Sequence, residues 1–488
     1  MNRRSQRSRR FVLLATAGWL ALTARAERFV PDGRVRADGI TVLMACDAER
    51  SSDLPEFQPN GHGRFHVRGW QRSDQYAKWS VQVDEAEEYE VRVLLRRSGG
   101  GPIRVQVTAG TNVASGTAAG DRWQRVALSG RLDLPAGPAQ VALHLEAADP
   151  GGTFAAEVLS LELAQPAARL DLEHQAVAQG ADTAWMRRAG YGFMVHWTAQ
   201  SQPRQGEAKP YADAVRDFDV AGFADQMKAG GAGFVVFTTS HALQYFPAPL
   251  AALDEVLPGR TASRDLVAEL AQALQARGLK LMLYYHLGAG PDAAWLAASG
   301  FWDRDPARFF GHWTRIVGEV GRRYGEHLAG WWFDDGMVTY YPRSPDWRAL
   351  SAAARAGHAQ RVVGFNAWEY PSPTPFQDFH CGEGNLQPAS DGTLRPNGQG
   401  ILGPGPHAGL QACATLVTEG DWGCFARGRE TPPPRWNSAQ LRELLGAFAR
   451  HGNVPIFNLE ISQEGRVSER TIDLFRQAQM PAGQERSP

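Results

Sequence analysis

Between Arg28 and Leu163 apolar and polar residues alternate over short runs: Val91, Val93 and Leu95, then Val105 and Val107, then Val141, Leu143 and Leu145, then Leu159, Leu161 and Leu163. A period of two buries one face of each run and wets the other, as in antiparallel strands. Turn sequences separate the runs, as in Ser98-Gly99-Gly100-Gly101-Pro102 and Asp149-Pro150-Gly151-Gly152. The pattern predicts an all-β jelly-roll sandwich over residues 27–165.

From about Thr183 the period changes. Leu266, Leu270, Ala273 and Leu274 repeat at helical spacing between Arg264 and Gly278, and short apolar runs stand between such stretches. Eight runs read as buried strands: Tyr191–Trp197, Gly233–Thr239, Lys280–His286, Gly330–Asp334, Arg361–Asn366, Phe376–Cys381, Ala412–Glu419 and Val454–Ile461. Eight βα units predict an α/β domain, a (β/α)8 TIM-like barrel over residues 175–480, with its active site at the C-terminal strand ends. The boundary falls near Gln165-Pro166-Ala167-Ala168, and no internal repeat interrupts either region.

The chain has 488 residues, 43% of them hydrophobic, with 51 Lys and Arg against 52 Asp and Glu. That composition excludes disorder, and four cysteines are too few for a disulfide scaffold. Six arginines and no acid lie in residues 1–26; without them 45 basic residues face 52 acidic ones, a net charge of −7. No basic stripe then points to nucleic acid.

The arginines from Arg3 to Arg10, the apolar stretch Phe11 to Leu22 and Ala24-Arg25-Ala26 read as a signal peptide over residues 1–26, with periplasmic or secreted destination. Ser8-Arg9-Arg10-Phe11 also resembles a twin-arginine signal with Phe11 one place early, and an uncleaved anchor is the other reading. No later stretch reaches the ~20 apolar residues of a membrane span. In an oxidising compartment Cys413 and Cys424 are near enough in sequence to close a small loop, whereas Cys46 and Cys381 lie far apart.

The polar groups at the predicted strand ends are His196-Trp197, Thr239 with His241, Tyr285-His286, Asp334-Asp335, Asn366, Glu383, Glu419, and Asn458 with Glu460. Carboxylates among aromatic rings suit glycoside hydrolysis, in which one acid attacks or stabilises an oxocarbenium-like carbon and another donates a proton. There is no glycine-rich phosphate cradle and no HxH or HExxH spacing, so neither cofactor nor metal is expected. In Trp331-Trp332-Phe333-Asp334-Asp335-Gly336 the adjacent acids point to opposite sides of the strand. Asp334 is the candidate for the barrel mouth; capping the next helix or pairing with an arginine is its alternative.

Gly192-Phe193-Met194-Val195-His196-Trp197 resembles the FGIFIHWG strand of family 29 glycoside hydrolases, the α-L-fucosidases. Arg264-Asp265-Leu266-Val267, continuing to Gly278-Leu279-Lys280 and Tyr284-Tyr285, is similar to their rDLv and GLkfGlYyS segments. Tyr324-Gly325 with Trp332-Phe333-Asp334 resembles YG…lWfDg, Asp378-Phe379-His380-Cys381-Gly382-Glu383 resembles gDfxTxE, and Trp422-Gly423 and Gly452-Asn453-Val454 to Asn458 follow in order.

The resemblance implies a retaining mechanism: Asp334 as nucleophile and Glu383 as acid/base, with Glu369 the rival for the second role and Asp335 a supporting residue. His196, Trp197, His241, Tyr285, His286, Trp332, Asn366 and Trp422 form the expected substrate-binding set, and the partner is a carbohydrate, a fucosylated glycan or a related oligosaccharide. Departures fall on the sugar pocket. Ser240-His241-Ala242-Leu243-Gln244-Tyr245 stands where the family has KHHDGF, Thr198 replaces a Gly, and His286 replaces a Ser. A different sugar handled by the same carboxylates, and a non-catalytic carbohydrate-binding barrel, are the alternative readings.

Tyr76 to Val81 and Glu88 to Val93 resemble paired strands of galactose-binding-like jelly rolls. Trp70, Tyr76, Trp79 and Trp123 either stack on carbohydrate or fill the sandwich core. The sequence leaves oligomeric state open.

Overall fold

In the computed structural model the described residues are 33–54, 66–286, 292–334, 343–366, 370–380, 382–384, 400–403 and 408–479. The signal-like segment 1–26, Asp335, Glu369 and Cys381 lie outside them, as does the side chain of Glu383.

The alternating runs pair into two six-stranded sheets. In one, Tyr76–Val83 lies beside Gly137–Ala147, followed by Ile103–Ala109 and Asn112–Ala118, with Arg34–Val35 and Glu49–Arg50 also pairing with Tyr76–Val83. In the other, Glu87–Gly100 and Phe154–Ala164 are central; Leu132–Leu134 and Gln124–Ala127 join the first, Thr41–Met44 and Val67–Trp70 the second. Val91, Val93, Leu95, Val105, Val107, Val141, Leu143, Leu145, Leu161 and Leu163 form the shared core. Leu159 does not join them, because register shifts between Val158 and Ser160 and turns it to the opposite face.

Trp70 and Trp79 are core residues, and the Trp79 indole donates to the Met44 carbonyl at 2.9 Å. Trp123 packs on Tyr370, outside the sandwich, with ring centroids 4.8 Å apart. Of the four aromatics only Tyr76 keeps a half-buried ring, under the Lys78 ammonium. Arg343 bonds Asp47 at 2.7 Å and Arg125 bonds the Ser372 carbonyl at 3.2 Å, so charged contacts tie the two regions. A cavity of about 390 Å³ is lined by both, including Trp79, Asp47, Arg343 and Trp347.

The second region is a parallel barrel of β1 (Gly192–Val195), β2 (Phe234–Ser240), β3 (Lys280–His286), β4 (Leu328–Asp334), β5 (Val362–Phe365), β6 (Phe379–His380), β7 (Glu383–Gly384), β8 (Gln411–Val417) and β9 (Val454–Leu459). Pairing runs β5-β4-β3-β2-β1-β9-β8-β6, with β7 also on β8. Of the predicted strand Phe376–Cys381, the described residues form a strand only at Phe379–His380, and β7 begins beyond its end. Helices shield the outside; Asp265 starts the one at Leu266–Gln275 by accepting from the Ala268 amide at 2.9 Å.

Two apolar layers follow from the strand period. Inside the barrel sit Met194, Phe234, Val236, Met282, Tyr284, Trp332, Val362, Phe379, Cys413, Val454 and Ile456. Between strands and helices sit Phe193, Val195, Phe237, Tyr285, Trp331, Phe333 and Phe365. The seam between β5 and β6 is held by Asp378, whose amide donates to the Val363 carbonyl at 2.8 Å. Its buried carboxylate accepts from the Val363 amide at 2.7 Å, the Ala181 amide at 2.8 Å and Arg355 at 2.7 Å.

Cys46, Cys413 and Cys424 are free thiols. Cys413 is committed to the barrel interior on β8, so the Cys413–Cys424 loop does not form. No helix among the described residues is long and apolar enough to cross a membrane.

Candidate active site

Register decides which strand-end residues meet. His286 pairs with Asp334 and Tyr284 with Trp332 across β3 and β4, so on both strands the even-numbered residues face the barrel axis. Tyr284 stacks on Trp332 with centroids 5.1 Å apart and planes 13° from parallel. Above this layer lies the buried Asp334 carboxylate. The Tyr284 hydroxyl donates to its Oδ2, and Asn366, one residue beyond β5, donates to its Oδ1 at 2.8 Å. A carboxylate only accepts, so two donors hold it in one orientation with lone pairs to spare.

Three imidazoles surround that carboxylate. His196, just past β1, is bridged from Nδ1 to Asn458 Oδ1 at 2.8 Å, and the Asn458 amide donates to the Trp422 carbonyl at 2.9 Å. The His196 ring lies 4.8 Å from Tyr284, 5.0 Å from Trp422 and 5.4 Å from His241. His241 and His286 rings are 5.1 Å apart. One nitrogen or oxygen from each of His241, His286 and Asp334 lies within 4.8 Å of the other two. Ala242, next to His241, holds a left-handed φ of 61°, a strained conformation for a residue with a Cβ.

Burial drives the His196 imidazole down to about 4, against the opposing pull of its Asn458 hydrogen bond and of Asp334. Burial, then the neighbouring imidazoles, carries His241 well below its ordinary value. Both rings are therefore neutral at pH 7. A neutral imidazole carries one donor and one acceptor nitrogen; with Nδ1 of His196 donating to Asn458 Oδ1, its Nε2 is left to accept, which suits a hydroxyl group.

Trp197 and Tyr285 do not join the group. Both are odd-numbered neighbours of inward residues and point to the helix layer. Trp197 packs on Phe218 and Phe237 and donates to the Gln463 carbonyl at 3.0 Å, with 1% of its surface exposed. The Tyr285 hydroxyl donates to Gln244 Oε1 at 2.9 Å, and Gln244 in turn donates to the His286 carbonyl at 2.8 Å. Tyr285 thereby supports the backbone that carries His286 without facing the cavity. Tyr284 and Asn458 take the inward places; the alternation through Asp334 was the signal for Tyr284.

Two other strand-end acids, Glu419 and Glu460, are occupied. Glu419 accepts from the Thr471 hydroxyl at 2.7 Å and the Glu460 amide at 3.1 Å, and burial pushes it up to about 7. Glu460 accepts from the Gly420 and Asp421 amides at 3.1 and 2.8 Å and pairs with Arg429. Glu383 begins β7, opposite Thr415 of β8, at the mouth end of that strand pair.

Comparison with known proteins shows what the chain is similar to. The family model for alpha-L-fucosidase matches residues 213–392, a span that includes Asp334 and Glu383 and leaves out His196, Trp422 and Asn458. Human tissue alpha-L-fucosidase is 30% identical over 193 residues, covering 32% of this chain and 39% of the relative. The chain thus spans well under half the length of that relative. Among solved structures, the Lactobacillus casei alpha-L-fucosidase in complex with its alpha-L-fucose product matches at 18% identity and a TM-score of 0.42, over 60% of this chain and 96% of that one. The Thermotoga maritima alpha-fucosidase in complex with a mechanism-based inhibitor matches at 18% identity and 0.45, over 62% and 74%.

Proposed function

We propose that the chain is a retaining glycoside hydrolase of the α-L-fucosidase kind, family 29, that removes terminal α-linked L-fucose, or a similarly configured sugar, from glycans, a reading supported by the match of residues 213–392 to the alpha-L-fucosidase family model. One observation carries the reading: an inward carboxylate, Asp334, at a C-terminal strand end, gripped by Tyr284 and Asn366 and set among His196, His241, His286 and Trp332.

In this reading Asp334 attacks the anomeric carbon as the glycosidic bond breaks, giving a covalent glycosyl ester. Glu383 protonates the departing oxygen, then takes a proton from the water that cleaves the ester. The place of Glu383 on β7, in the same parallel sheet as Asp334, supports that role. His196, His241 and His286 bind sugar hydroxyls, and Trp332 and Trp422 wall the pocket; Trp197 and Tyr285 are left to packing.

The proposal includes the division into a sandwich of residues 27–165 and a barrel of 175–480, and export directed by residues 1–26 to the periplasm or medium. Incubation with a panel of nitrophenyl glycosides tests it. Release from the α-L-fucoside is the expected result. Release from another sugar alone moves the substrate assignment to that sugar, and release from none leaves a binding barrel.

A further inference from the structure

We propose that His241, His286 and Asp334 form a binding site for one divalent transition-metal ion of the zinc class, and that an ion there withdraws Asp334 from sugar chemistry. The binding claim stands on geometry alone; only its effect on turnover rests on the hydrolase reading.

Two imidazole nitrogens and one carboxylate oxygen are the donor set such ions select, and three protein ligands leave a coordination position for water or a hydroxyl. The three ligand atoms lie within 4.8 Å of one another. Ligands on one tetrahedral ion with bonds of about 2.1 Å are roughly 3.4 Å apart, so closure needs only a small adjustment of the side chains.

A second, independent feature is an unsatisfied atom. Nδ1 of His241 is buried and has no hydrogen-bond partner among the described residues, an arrangement that ordinarily costs stability. A metal bond at Nδ1 satisfies that atom directly and leaves the proton on Nε2.

The supports of the three ligands are already built. The Leu243 amide bonds the His241 carbonyl at 2.7 Å beside the strained Ala242. The His286 amide donates to Ser240 Oγ at 3.2 Å, and its carbonyl accepts from Gln244. Tyr284 and Asn366 orient the carboxylate, as outer partners of metal ligands do. His241 and His286 lie 45 positions apart, so no local spacing announces the pair. His286 stands where the resembled strand carries Ser, which makes the second imidazole a feature of this chain.

Titration of the chelator-treated full chain with Co2+ reads the site directly. The expected result is a visible d–d absorption band that saturates at one ion per chain, is displaced by Zn2+, and weakens at least about tenfold in apparent affinity in both His286→Ser and His241→Gln. Thermal melting of each variant verifies that it is folded. Absence of the band, or a band unchanged in folded His286→Ser, overturns the site. Zn2+ is further expected to inhibit glycoside cleavage competitively, with chelator restoring it. A chain that binds Co2+ but cleaves no glycoside keeps the site and loses the hydrolase reading; one that cleaves without binding Co2+ does the reverse.

Discussion

Asp334→Asn is expected to lower kcat on the best nitrophenyl glycoside by on the order of 10⁴-fold or more, with the melting temperature nearly unchanged. The amide keeps the shape of the carboxylate but cannot form the glycosyl ester, and losses of this size follow removal of a covalent nucleophile. Asp334→Gly tests the same point from the other side. It opens a space below the anomeric carbon in which azide can attack, so added azide is expected to restore part of the rate and yield a glycosyl azide of inverted configuration. An Asp334→Asn variant within tenfold of the parent rate contradicts the assignment.

The second large effect concerns stability. Asp378 and Arg355 are both buried, and the carboxylate also holds the amides of Val363 and Ala181 where the barrel closes. Burial pushes the Asp378 carboxyl above its usual range, while Arg355 and the two amides pull it back. Asp378→Asn leaves the Arg355 guanidinium buried without a counter-charge, a loss of about 3–5 kcal/mol. At roughly 2–4 °C per kcal/mol for a region of this size, the melting temperature is expected to fall by about 10 °C. Adding Arg355→Leu to Asp378→Asn removes the orphaned charge and is expected to recover part of the loss. A single variant melting within about 1 °C of the parent would show that Asp378 does not hold the seam.

Much of this architecture is legible in the chain because strand period is a strong signal. The runs from Tyr191 to Trp197 and from Val454 to Ile461 each contain an observed strand, and Lys280–His286 coincides with β3 to the residue. What escapes is phase. Leu159 changes face at a bulge that leaves no trace in composition. Tyr284-Tyr285 and His196-Trp197 each offer two polar or aromatic groups at a strand end, and only pairing with a neighbour tells which one turns inward. The late start of a strand within Phe376–Cys381 was equally hidden, since Asp378 spends its side chain on the β5 seam and the pairing with β8 begins only at Phe379.

Three contacts across distant elements were beyond any local pattern. Asn458 reaches His196 over 262 positions, Thr471 reaches Glu419, and Arg429 reaches Glu460. The last two occupy acids that strand-end position alone left available. Cys413 shows the same limit in reverse: nearness to Cys424 in sequence suggests a loop, but strand phase sends its thiol into the barrel.

The most direct test of the central claim, that Asp334 forms a covalent bond to the sugar, is trapping with 2-deoxy-2-fluoro-α-L-fucosyl fluoride followed by peptide mapping. The fluorine at C2 destabilises the oxocarbenium-like transition states of both steps, while fluoride leaves readily, so the ester accumulates. The expected result is one label per chain, on the peptide containing Asp334 and absent in Asp334→Asn. A label on any other residue, or hydrolysis with inverted configuration and no covalent adduct, would contradict it.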